Sequence, residues 1–163
     1  MTFILFISFI ILLRIIELLI SSRNEKWLLQ NNAVEYGKGH YPFIVALHIS
    51  FIFSMMFEYF TIQATSFSLY FFSLYLILLI IKAWIVLSLG KFWNTKIYRI
   101  PNVALIKKGP YKYLKHPNYL IVILEIAVIP LVFHLYYTAI IFSILNAIML
   151  SIRIKEENTA LKM

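Results

Sequence analysis

The chain has 163 residues, 62% of them hydrophobic and 13% charged, with no Asp and no Cys. So few charges cannot give a soluble core of this size a solvated shell, and lipid is the solvent that suits the composition. The net charge of +8 comes from basic residues set between apolar runs, which fits membrane topology better than a nucleic-acid surface, and the lack of Cys excludes disulfides and thiolate chemistry.

Five apolar stretches follow one another. The first covers about Thr2 to Ile20. No basic segment precedes it and no small-residue cleavage site follows, so a retained helix is expected rather than a cleaved signal. Arg14 and Glu17 lie inside it three residues apart and can pair. The second stretch runs from Pro42 to about Ile62, with His48 and Glu58 near its ends. The third, about Phe67 to Leu89, contains Lys82. Lys82 and Arg14 are expected to snorkel toward water from the ends of their helices. The fourth and fifth, about Tyr119 to Leu135 and Tyr136 to Ile152, touch almost without a linker and predict a tight hairpin. Pro130 kinks the fourth or opens its exit turn. Glu125 either meets Asn146 across the hairpin or faces a pocket. Crossing the hydrocarbon takes roughly 17–25 helical residues, so all five stretches qualify, the last two narrowly.

The expected fold is therefore all-α, a polytopic membrane protein of about five spans. It is one domain, with three N-terminal spans over 1–89 and a second half over 90–163. Basic residues fill the connections between spans one and two and between three and four, and Arg153, Lys155 and Lys162 follow span five. The connections at Gln63–Ser66 and around His134 hold no Lys or Arg. The positive-inside rule places the N-terminus outside and the C-terminus in the cytoplasm of a multi-pass cell-membrane protein. Gly90 to about Asn118 is the one connection long enough to build a site. Its Trp93, Tyr98, Tyr111 and Tyr113 suit a headgroup-level position.

Two polar constellations stand out. One is Lys108-Gly109-Pro110-Tyr111 running on to His116-Pro117-Asn118-Tyr119. Pro117 stops a helix from passing through His116 and opens the next one. The N–H groups of Asn118, Tyr119 and Leu120 then leave a helix N-terminus, which binds carboxylates. Local physics alone reads this segment first as a basic, aromatic interfacial loop. The other constellation is Arg153-Ile154-Lys155-Glu156-Glu157, where Arg153 and Glu157 share a helix face as an ordinary ion pair or as a site. There is no Gly-rich nucleotide loop and no metal spacing such as H-E-x-x-H, so neither a metal nor a nucleic-acid partner is expected.

Gly109-Pro110-Tyr111, then His116-Pro117-Asn118-Tyr119, then a hairpin, then Arg153-x-x-Glu156-Glu157 resembles the isoprenylcysteine carboxyl methyltransferase family of small membrane enzymes. Arg23-Asn24-Glu25-Lys26-Trp27 and Glu35-Tyr36-Gly37-Lys38-Gly39-His40-Tyr41 extend the resemblance to a bacterial branch. Some members of that branch accompany polyketide synthases and O-methylate long-chain alkylpyrones or phenolic lipids. The resemblance implies S-adenosylmethionine as cofactor. It assigns Val103, Ala104, Leu105 and Ile106 to the adenosyl pocket, and Tyr111, His116, Pro117, Asn118, Tyr119 and Glu157 to cofactor binding. It gives Arg153 the acceptor's acidic group and makes Arg153 and Glu157 the catalytic residues, while the positive-inside rule puts the site on the cytoplasmic side. Members acting on prenylated proteins carry a further segment after the Glu pair, whereas this chain ends at Met163. A lipophilic small-molecule acceptor entering from the membrane, prenylcysteine-like or alkylpyrone-like and supplied in the latter case by a polyketide synthase, is expected. The alternatives are an NADPH-dependent reductase of the steroid-reductase type, a phospholipid N-methyltransferase and a small membrane scaffold.

Overall fold

The computed structural model describes residues 1–161, so Lys162 lies outside the described residues. Five helices dominate: α1 (Thr2–Gln30), α2 (Tyr41–Thr61), α3 (Leu69–Leu89), α4 (Pro117–Leu131) and α5 (Tyr136–Ala160). Four are long and apolar enough to cross a membrane, which makes this a polytopic membrane protein as the composition demands. The fifth, α4, is shorter, yet it runs from the basic end of the bundle to the far end, where Ser68 N donates to Val132 O at 2.8 Å and Ser66 Oγ lies 3.0 Å from His134 Nδ1. Its 15 residues rise about 22 Å, short of a hydrocarbon core of roughly 30 Å. Pro130 sits in its last turn, and the chain reverses at once: Leu135 N donates to Pro130 O at 3.1 Å, and His134 takes φ 58°. The predicted tight hairpin is therefore present.

Two helices overrun their apolar stretches. α1 continues to Gln30, so Ser21, Asn24 and Glu25 are helical. α5 continues to Ala160, so Arg153 and Lys155 lie within the helix rather than after it. A two-stranded antiparallel ribbon, β1 (Val34–Tyr36) against β2 (Ile97–Arg99), ties the first connection to the third, with Glu35 opposite Tyr98. Its strands have three residues each, too short for alternation to announce them.

At the end of the bundle away from the basic connections, aromatic rings make the core. Phe3 stacks on Tyr59 at 3.7 Å between centroids and meets Phe133 edge-on at 5.1 Å. Glu58, buried at the end of α2, accepts from the N–H groups of Tyr137 at 3.1 Å and Thr138 at 2.7 Å. It supplies the partners that the first turn of α5 lacks.

Nearer the basic end, Arg14, Glu17, Lys82 and Glu125 form one network. Arg14 donates to Glu17 at 2.8 Å and to Glu125 at 3.0 Å; Lys82 donates to Glu125 at 2.9 Å and also pairs with Glu17. The Arg14–Glu17 pair is as expected, but Lys82 does not snorkel. It is 5% exposed, because two carboxylates at its own depth satisfy it without the reach to water. Glu125, 1% exposed, meets these cations rather than Asn146. Two positive and two negative groups cancel, which makes the cluster tolerable in an apolar setting.

Candidate active site

The extra turns of α1 build the floor of the site. Asn24 Nδ2 donates to Trp93 O at 2.7 Å and to Gly90 O at 3.1 Å. Thr95 N donates to Ser21 Oγ at 3.1 Å, and Asn94 Nδ2 donates to Ser21 O at 2.9 Å. The segment 90–96 is thereby clamped against the bundle. Trp93 is 3% exposed, and Tyr98 donates to Glu25 at 2.6 Å, so both rings are held within the protein; of the four aromatics Tyr113 is the exposed one. Glu25 also pairs with Lys96 at 2.6 Å and raises the pKa of that ammonium.

Gly109 fixes the approach of the next segment. Its φ of +51° lies in the left-handed region, and an added Cβ would strike Ser88 and Trp84 of α3. The Gly109–Lys112 turn therefore packs tightly on α3 and delivers Tyr111 and then His116 to the mouth of α4.

Arg153 is the hub. It is 7% exposed; Nε donates to the Tyr119 hydroxyl at 2.9 Å and Nη2 donates to the carbonyl of Thr95, which leaves Nη1 unassigned. One turn on, Glu157 Oε2 stands 3.4 Å from His116 Nδ1, near enough to pair but not aligned as a hydrogen bond. His116 Nε2 meets Asn158 Oδ1 at 3.1 Å, and its ring stacks on Tyr119. The Glu157 carboxylate raises the His116 pKa above 6.5. Burial, with Glu157 second, pushes the Tyr111 phenol up.

Two cavities meet at this hub. The more polar of the two, about 90 Å³, is lined by Arg99, Tyr111, His116 and Glu157 together with apolar residues such as Ile97 and Ala160. A largely apolar one of about 240 Å³ runs into the bundle between α1, α2 and α5, past Leu18, Ile44, Ile52 and Met149. Trp93, Asn118, Tyr119 and Arg153 line both. Five buried side-chain atoms lack a hydrogen-bond partner among the described residues: Trp93 Nε1, Arg99 Nε, His116 Nδ1, Asn118 Oδ1 and Asn146 Nδ2. Each of the five residues lines one cavity or both. Buried polar groups are nearly always paired, so orphans gathered in this way single out the two cavities as the candidate site.

The structure thus brings together Tyr111, His116, Asn118, Tyr119, Arg153 and Glu157. Pro117 is buried as the first residue of α4 and contacts neither cavity. Val103, Ala104, Leu105 and Ile106 are not among the residues that line these two cavities; Ile106 lines a third groove with Trp27 and Lys108. The helix N-terminus is narrower than expected, because Tyr119 and Leu120 N–H both turn back to His116 O, leaving Asn118 N–H of the three. Trp93, Thr95 and Arg99 were missed as site residues. The polar run Asn94-Thr95-Lys96 and the Ser21/Asn24 face beyond the first apolar stretch were their only signals.

Residues 71–163 match the model of the Isoprenylcysteine carboxyl methyltransferase (ICMT) family, a span that runs from α3 through both halves of the hub. The chain is 43% identical over 160 residues to the Bacillus subtilis protein named "Uncharacterized protein YpbQ", covering 97% of this chain and 95% of that one. It is 28% identical over 155 residues to a Haemophilus influenzae protein described as uncharacterized, covering 93% and 90%. No solved structure matches the chain.

Proposed function

The chain belongs to the isoprenylcysteine carboxyl methyltransferase family and is a membrane methyltransferase, and from that premise we propose that it moves a methyl group from S-adenosylmethionine to an oxygen of a lipophilic acid, enol or phenol. The observation that carries this reading is the meeting of a polar and an apolar cavity at Arg153 and Tyr119.

The polar cavity's groups fit the cofactor chemically. Arg99 Nε and Trp93 Nε1 offer N–H donors for a carboxylate and for ring nitrogens, and His116 Nδ1 joins them when its ring is protonated. Asn118 Oδ1 and the Glu157 carboxylate offer acceptors for an ammonium group and ribose hydroxyls. When bound, S-adenosylmethionine supplies an electrophilic methyl on a positively charged sulfur. To an anionic acceptor oxygen it would give up that methyl, the sulfur keeping the bonding pair as a neutral thioether. This displacement needs alignment and a dry site more than a nucleophilic side chain. Arg153 is suited to the alignment. Tyr119 and Thr95 hold two of its nitrogens, and the third can hold an anionic oxygen at the junction. The apolar cavity would take the tail, so the acceptor enters from the membrane. Prenylcysteine-like and alkylpyrone-like molecules both fit that description, the latter as products of a polyketide synthase.

The reading places the polar cavity in the cytoplasm, with the N-terminus outside, because the basic connections gather at that end. The chain has no Cys, so single introduced cysteines at Gln63 and Lys108 report sidedness cleanly. Only the second should react from the cytoplasmic side.

The test of acceptor class uses tritiated S-adenosylmethionine, the protein in bilayer discs and lipid extract from a native host. Label is expected in the organic phase. Release as methanol on mild alkali identifies a carboxyl ester, and alkali-stable label an enol or aryl ether. Label on an amine headgroup, or none at all, would contradict the proposal.

A further inference from the structure

We propose that the apolar cavity carries a second polar subsite, formed by Asn146 and His48, that recognises a hydroxyl on the body of the acceptor. The inference rests on the methyltransferase reading of the cavity and names a feature of its substrate.

α2 and α5 run antiparallel in a register that two contacts define. Ser54 Oγ meets Thr138 Oγ1 at 2.9 Å, and the rings of Phe51 and Phe142 lie 5.4 Å apart. Continuing that register sets His48 within one or two residues of the level of Asn146, and Tyr41 within one or two of that of Arg153. Tyr41 confirms the second level, since its hydroxyl lies 3.2 Å from Thr95 Oγ1, on the residue whose carbonyl holds Arg153. Asn146 and His48 therefore sit two turns deeper than the hub, about 10 Å along the helices.

Both residues line the apolar cavity, and each carries a polar atom without a partner among the described residues. Asn146 is 3% exposed and its Nδ2 has no partner among the described residues. His48 Nδ1 lies 2.9 Å from the carbonyl of Ile44, which can only accept, so Nδ1 holds a proton. In the neutral ring Nε2 is then an acceptor. A donor and an acceptor at one level, with Ile44, Val45, Ile49 and Met149 among the residues beside them in the wall, match a group that both accepts and donates. A hydroxyl does so; a methylene does not. Arg14, Glu17 and Lys82 also reach this wall, but they are paired with one another and with Glu125 and leave no such vacancy.

The experiment measures binding, independent of turnover, of stearic acid and of hydroxystearic acids with the hydroxyl near the carboxylate, mid-chain or at the far end. With the carboxylate at Arg153, the mid-chain hydroxyl reaches the subsite, about 10 Å away. It should bind about five-fold tighter than stearate, the gain of one net hydrogen bond. Asn146→Leu and His48→Phe should each remove the preference, so that stearate and the mid-chain hydroxystearate bind alike within each variant. Asn146→Leu removes an unpaired buried amide, so it should fold at least as well as the native chain. A flat series in the native protein, as a trapped water would give, overturns the proposal. So does failure of every member to bind, or a preference that survives both substitutions. S-adenosylmethionine binding in the same samples reports separately on the methyltransferase reading.

Discussion

Two buried polar clusters lie within a few helical turns of each other, and they are finished to different degrees. In the Arg14–Glu17–Lys82–Glu125 cluster every charge has an opposite partner, and each carboxylate meets both cations. Around Arg153, four buried atoms on Trp93, Arg99, His116 and Asn118 have no hydrogen-bond partner among the described residues. A closed network holds helices together; an open one is completed by something else. The difference separates what this chain needs to fold from what it needs to act.

The largest expected effect breaks the closed cluster. Lys82→Met removes one cation and leaves Glu125 buried beside Arg14 alone, which should cost roughly 3–5 kcal/mol. Thermal unfolding in detergent measures it. A change no greater than that of an exposed lysine such as Lys112 would mean that the cluster is not structural glue.

Arg153→Lys sharpens the other side. It keeps the charge but loses the fork that binds Tyr119 and Thr95 at once. The expected outcome is about a hundred-fold loss in kcat/KM for the acceptor, near 2.7 kcal/mol, with S-adenosylmethionine affinity changed far less. Steady-state kinetics in both substrates check this split.

Glu58→Ala, at the far end, should leave two N–H groups of α5 without partners. The cost is about 1–3 kcal/mol in unfolding, with methyl transfer by the surviving fold unaffected.

The smallest effect is one of pH. The folded pKa of His116 is raised by Glu157. The pair therefore contributes its full stability below the unfolded value near 6.5 and loses it as pH rises through the raised folded value. The melting temperature of the native chain should fall relative to His116→Gln across that window, and the difference should vanish in Glu157→Gln.

The sequence shows this division only in part. The apolar runs and the Arg153/Glu157 spacing were legible because helical periodicity is local. The hairpin was legible because no polar residues separate its helices. The partners of Glu125 were not, since nothing local distinguishes a carboxylate that meets Asn146 on the next helix from one that meets Lys82 on the previous one. The extension of α1 to Gln30 was hidden by its polar composition, and with it the clamp on Trp93 and Thr95. Both are long-range side-chain pairings, which periodicity does not encode.

The most direct test is calorimetry of S-adenosylmethionine binding to the detergent-purified protein, native beside Glu157→Ala, with NADPH as control. The account predicts micromolar binding of S-adenosylmethionine, at least about ten-fold weaker in the variant, a loss of about 1.4 kcal/mol, and no binding of NADPH. Binding of NADPH in place of S-adenosylmethionine, or equal affinity in the two proteins, would contradict it.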